Sequence, residues 1–218
     1  MPEHLTLESV DHDGTLRQAY EDLPSGTRRG ILQKGLVAGG AVVAAGVTIG
    51  GLPKLAFAAP SPAQDVKVLN FALTLEYLEA EFYAQARSGG ALSGELRDFA
   101  RVVGTHEAQH VAFLKKALGA KAVAEPTFDF KGTTEDAAKF QATAIVLEDT
   151  GVAAYNGQGA NVTKPTLAAA ASIVSVEARH AAWIRDIAGQ NPAPAAFDAS
   201  KTQAQILSAV TATGFITG

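Results

Sequence analysis

The chain has 218 residues, 47% apolar and 18% charged, a composition that supports a packed globular core. A net charge of −4 offers no basic footprint for nucleic acid, which excludes that class of partner. The absence of cysteine excludes disulfides, zinc fingers, iron–sulfur clusters and thiol nucleophiles, so any metal site has to be built from Glu, Asp and His.

Residues 1–58 read as a targeting segment. Residues 1–26 are polar and acidic. Thr27-Arg28-Arg29-Gly30-Ile31-Leu32-Gln33 is similar to a twin-arginine export signal, and the uncharged, Gly-rich run 35–52 follows it. Ala56-Phe57-Ala58 is a small-x-small pattern of the kind signal peptidases cut. The expectation is a passenger spanning 59–218, exported to the periplasm or cell envelope by the twin-arginine translocation machinery. If the signal is not cleaved, the 18-residue run is long enough to serve as a membrane anchor.

The remainder predicts an all-α fold. Residues 65–86, 95–118, 134–156 and 165–188 carry apolar residues at three- and four-residue spacing, and a short fifth helix is expected over 202–212. Gly89-Gly90 and Ser93-Gly94 separate the first two helices, with Ser93 as an N-cap; Thr133 or Thr134 followed by Glu135 and Asp136 opens the third. Pro165 suits the first turn of the fourth. Short loops make the first and second helices, and the third and fourth, antiparallel neighbours. The linker 119–132 can reach about 46 Å when extended, more than the roughly 36 Å of a 24-residue helix. The result is a four-helix bundle with one long crossover between the second and third helices. A second apolar stripe on the first helix, Phe71, Leu75, Leu78 and Phe82, calls for cover from the C-terminal helix or from a second subunit in a homodimer.

Four glutamates interrupt the core-facing stripes. Glu76 shares its stripe with Leu69, Leu73 and Tyr83; Glu107 with Val103, Val111 and Leu114; Glu148 with Ala144, Val152 and Tyr155; Glu177 with Ile173, Ala181 and Ile184. Glu76 and Glu107 are equidistant from the loop between their helices, as are Glu148 and Glu177 from theirs, so all four fall in one layer. Buried carboxylates gathered at one level repel one another unless cations lie between them. Glu107-Ala-Gln-His110 and Glu177-Ala-Arg-His180 place a histidine on the same helix face as each glutamate. The pattern is duplicated: Tyr83 follows Glu76 by one heptad and Tyr155 follows Glu148 by the same step. Two similar hairpins, each with one lone Glu and one Glu-x-x-His, predict a two-metal site of Glu76, Glu107, His110, Glu148, Glu177 and His180. Glu79 is an alternative to Glu76, and His106 is placed beside the site or at the surface.

The segments LNFALTLEYLEAEFY (69–83), THEAQHVAFLKKAL (105–118), LEDTGVAAY (147–155) and VEARHAAWIR (176–185) resemble the ferritin-like superfamily, and within it the exported bacterial proteins related to plant desiccation-related proteins. The tail FDASKTQAQIL (197–207) resembles the ending of that group. The resemblance implies a ferritin-like bundle holding two metal ions, iron first and manganese second, with Glu76 and Glu148 as terminal ligands and Glu107 and Glu177 as bridges. The expected chemistry is that of a metal-dependent oxidoreductase acting on dioxygen, peroxide or Fe(II) (ferroxidase-, peroxidase- or catalase-like), in oxidative or desiccation stress protection. Tyr83 and Tyr155 are expected beside the metals, as groups that hydrogen-bond a ligand or carry an electron. The alternative is a non-catalytic, metal-stabilised envelope or stress-protection protein.

Overall fold

The computed structural model describes residues 60–217. Arg28 and Arg29, the apolar run 35–52 and the Ala56–Ala58 cleavage pattern lie outside the described residues. Five α-helices make up the described part: α1 (Pro62–Ser88), α2 (Gly94–Leu118), α3 (Ala137–Gln158), α4 (Lys164–Ile187) and α5 (Gln203–Thr213). None of them is long and apolar enough to cross a membrane.

The helix ends follow from local chemistry. Ser61 caps α1 by accepting from the Gln64 N–H at 3.1 Å, and Pro62 opens the first turn, where its missing N–H leaves no bond unmade. The turn after α1 contains Gly90 at φ +71°, a conformation that disfavours any residue with a Cβ. Ser93 stands at the N-cap of α2, as expected, but its side chain makes no capping bond. The start of α3 differs from expectation. Asp136, not a threonine, is the cap, accepting from Lys139 N–H at 2.8 Å, while the Thr133 hydroxyl turns back to the Phe130 carbonyl. A carboxylate at this place also meets the positive end of the helix dipole, which favours it over a hydroxyl. α5 begins with a reciprocal capping box between Thr202 and Gln205.

α1 packs mainly on α2, and α3 on α4. The two hairpins are tied across the core by Tyr83 to Glu148 and by Tyr155 to Glu76. Along α1 the order 76, 83 meets 155, 148 on α3, so α3 runs antiparallel to α1 and parallel to α2. The connection between α2 and α3 therefore has to travel the length of the bundle. It does so by way of a 3-10 turn (Gly119–Lys121) and a single antiparallel bridge between Phe128 and Ile216. Asp129 N–H to the Phe215 carbonyl, and Thr217 N–H to the Thr127 carbonyl, fix this crossover to the C-terminal tail.

The second apolar stripe of α1 is covered from within the chain. Phe71, Leu75, Leu78 and Phe82 are all buried and share one cluster with Phe130 of the crossover and with Ile206, Val210 and Phe215. Phe82 stacks on Phe140 at 5.1 Å and meets Phe130 edge-on at 5.3 Å. Burying one such ring contributes about 1.5–3 kcal/mol. The crossover and tail thus belong to the core that holds α1 in register.

One polar clamp fixes the far end of the bundle. Thr163 precedes α4 but caps it with no side-chain bond. Asp65 of α1 substitutes, accepting from Thr163 N–H at 2.8 Å, the Thr163 hydroxyl at 2.5 Å and the Thr166 hydroxyl at 2.8 Å. Burial alone would raise the Asp65 pKa, but these bonds outweigh it and hold the carboxyl below its usual 3.8. Its contribution is therefore present above pH 4 and is lost as pH falls through the depressed folded value. Asp65→Ala is expected to lower stability by about 1–3 kcal/mol at neutral pH, and the gap between variant and parent should close in acid. Thermal unfolding at pH 7 and pH 3 measures both.

Candidate metal centre

All six sequence-predicted ligand residues converge in the middle of the bundle. Glu76, Glu107, Glu148 and Glu177 are each at most 1% exposed, and His180 is 3% exposed. His110 is half-buried. His110 Nδ1 lies 3.2 Å from Glu76 Oε2, 3.0 Å from Glu107 Oε2 and 3.1 Å from Glu177 Oε1. His180 Nδ1 lies 3.1 Å from Glu107 Oε1, 3.2 Å from Glu148 Oε2 and 4.0 Å from Glu177 Oε2. Two donor groups result: Glu76, Glu107, His110 and Glu177, and Glu107, Glu148, Glu177 and His180. Within each group the donor atoms lie within 4.8 Å of one another. Glu107 and Glu177 belong to both and offer one oxygen to each side.

The donor set fits a pair of metal ions. Glu107 Oε1, Glu148 Oε2, both Glu177 oxygens and His180 Nδ1 are buried without a hydrogen-bond partner, and all five atoms face this centre. Unmade bonds at buried polar atoms are rare, and five in one place are what a cation-binding site would present. Carboxylate oxygens with one imidazole per side suit iron or manganese.

The tyrosines have a specific task. Tyr83 donates to Glu148 Oε1, and Tyr155 donates to Glu76 Oε1 at 2.5 Å. In each case the hydroxyl holds one carboxylate oxygen while the other, Oε2, faces a histidine Nδ1. The pairing is reciprocal: each hairpin's tyrosine holds the other hairpin's lone glutamate. Gly104 makes room for Tyr83, since a Cβ there would stand 2.8 Å from the Tyr83 Cβ. Such an approach between α1 and α2 excludes any larger residue without a shift of the helices.

Two further residues sit at the centre. Glu79 is 3% exposed and points toward Gly151, where an added Cβ would lie 3.3 Å from Glu79 Oε1 and 3.2 Å from Glu177 Oε2. It accompanies Glu76 and does not displace it. The sequence allowed one or the other because both lie three residues apart on neighbouring faces; only the packing shows that the core accommodates both. His106 is beside the centre, its Nδ1 2.8 Å from His180 Nε2 and its ring stacked on that of His180 at 5.1 Å.

A family model of the ferritin-like domain matches residues 64–190. The chain belongs to the ferritin-like domain family. That span runs from the first turns of α1 to the end of α4 and includes every residue of the centre. No curated protein matches the chain at a significant level.

Without metal, burial favours the protonated form of most carboxyls in this ferritin-like centre. Burial raises the Glu76 pKa to about 8, and burial together with neighbouring carboxylates raises Glu79 and Glu177 well above the usual range. Burial likewise raises Glu148. Glu107 is the exception: burial pushes it up, but the His110 and His180 imidazoles close to its two oxygens bring it down to about 2. Burial opposes charge on the histidines, yet the surrounding carboxylates raise His110 to about 12 and His180 to about 10. A carboxyl whose folded pKa is raised binds more protons folded than unfolded, so stability falls as pH rises from 4.5 through about 8. The histidine contribution is whole below 6.5 and is lost as pH rises through the folded values. Both trends have the same sign above pH 5. The melting temperature of metal-free protein should therefore drop between about pH 5 and pH 9, and Mn(II) should flatten the curve, stabilising most at the alkaline end. Calorimetry with and without chelator measures this; a flat metal-free curve would contradict it.

Proposed function

We propose that this protein is an exported two-metal carboxylate oxidoreductase acting on dioxygen, peroxide or Fe(II), with Glu76, Glu107, His110, Glu148, Glu177 and His180 as ligands. The observation that carries the reading is the set of five unpartnered buried donor atoms, shared between two overlapping four-residue groups. Glu76 and His110 would hold one ion, Glu148 and His180 the other, with Glu107 and Glu177 between them. When bound, two such ions supply paired redox equivalents to a small oxidant.

The chain's own residues supply what such chemistry requires. Tyr83 and Tyr155 fix the terminal carboxylates and keep one oxygen of each turned inward. Leu73, Phe82, Phe99, Val103, Phe140 and Ile184 are almost fully buried in the core of the same bundle and exclude bulk water. The low dielectric of such surroundings strengthens every charge interaction within the site. Iron is the first candidate for the native metal and manganese the second. The twin-arginine pattern in the leader supports export to the periplasm or envelope. That route carries folded passengers, which suits a protein loaded with metal before export.

Metal analysis of anaerobically purified protein, followed by oxygen and peroxide consumption, tests the proposal. Two ions per chain with turnover are expected, and Glu148→Ala should retain one ion or fewer. A Glu148→Ala chain that still holds two ions would overturn the ligand assignment. Two ions without turnover would assign the centre to stabilising the bundle, where an ion present at 100 times its Kd contributes about 2.7 kcal/mol.

A further inference from the structure

The two halves of the centre are related by an approximate two-fold repeat, and the repeat fails at one place. Glu107 and His110 of α2 correspond to Glu177 and His180 of α4, at a constant offset along the chain. By the same offset, His106 corresponds to Val176. The tyrosine support obeys the symmetry, Tyr83 on Glu148 and Tyr155 on Glu76. The histidine support does not. His180 Nε2 lies 2.8 Å from His106 Nδ1, with the two rings stacked at 5.1 Å and an interplanar angle of 18°. For His110, every recorded polar contact among the described residues runs through Nδ1. The side chain of Val176, at the place equivalent to His106, has no atom able to accept a hydrogen bond.

We infer that His106 is a positioning residue for His180, and that it makes the two halves unequal, the His180–Glu148 half taking the first metal ion. The inference rests on the metal-binding reading above and adds an order of loading to it. An imidazole that ligates through Nδ1 carries its proton on Nε2. An acceptor at Nε2 fixes that tautomer, orients the ring and raises the basicity of the ligating nitrogen. His106 Nδ1 provides that acceptor from a half-buried position on the neighbouring helix. The buried, unpartnered Nδ1 of His180 is the atom left facing the centre. The His180 ring is thereby held at both ends, by the carboxylates on one side and His106 on the other.

Titration of metal-free protein with Mn(II) alone, followed by the loss of the free-ion paramagnetic resonance signal, tests this. His106→Leu should weaken the first binding step by about 10–100-fold. His106→Asn, whose side-chain oxygen can stand where Nδ1 stands, should restore most of the loss. Val176→His should tighten the second step by giving His110 the partner it lacks. Melting curves of each metal-free variant distinguish a lost ligand support from a lost fold. A folded His106→Leu chain that binds both ions as the parent does would overturn the inference and leave the metal reading standing. Failure of the asparagine to restore affinity in a folded chain would also overturn it, since His106 would then act by packing alone. A parent chain that binds no Mn(II) would remove both.

Discussion

Five carboxylates, Glu76, Glu79, Glu107, Glu148 and Glu177, stand within one layer of the bundle at no more than 3% exposure. Left uncompensated, each ionised group would cost several kcal/mol of desolvation, and each raises the cost of the next by repulsion. Four of them, ionised, carry the charge that two divalent cations would balance. Burial and its neighbours push the fifth, Glu79, toward the protonated form. The rest of the bundle can be understood as the means of holding this arrangement at one height: two hairpins of matched loop position, a crossover that returns α3 to the same end as α2, and an aromatic cluster that fixes α1 between them.

The cross-linking hydrogen bonds have a consequence for rigidity. Because each tyrosine belongs to one hairpin and its carboxylate partner to the other, neither hairpin can rotate alone without breaking a buried bond. The aromatic contacts of Tyr83 with Phe82, Phe99 and Phe140 oppose any swing of that ring out of place. At the other end of the bundle, Asp65 joins the start of α1 to the start of α4. The ligand geometry is therefore a property of the whole bundle and not of any one helix. Orientation of an imidazole matters as well as proximity: His180 meets His106 on one side and carboxylates on the other, whereas the contacts of His110 are with carboxylates.

The six central residues, Tyr83, Tyr155 and the five helices were legible in the chain because periodicity is a local property. A glutamate in the middle of an apolar stripe, repeated on four helices at equal distances from two loops, has few meanings once burial energetics are applied. The linker length likewise dictated a crossover, since an extended segment of that size spans a helix. What the chain left open was decided by neighbours distant in sequence. Glu76 and Glu79 lie only about 60° apart around the helix, so both lie near the core face; Gly151 on α3, lacking a Cβ, is what lets Glu79 enter as well. The α3 cap went to Asp136 because the Thr133 hydroxyl was drawn to the Phe130 carbonyl by a turn built around Phe130 in the core. The partner of each tyrosine, the contact of His106 with His180, and the share that α5 and the tail take in the cluster of α1 all depend on which helices meet. Side-chain spacing along one helix fixes which face a residue occupies, whereas the identity of the atom opposite it is fixed only when the helices pack.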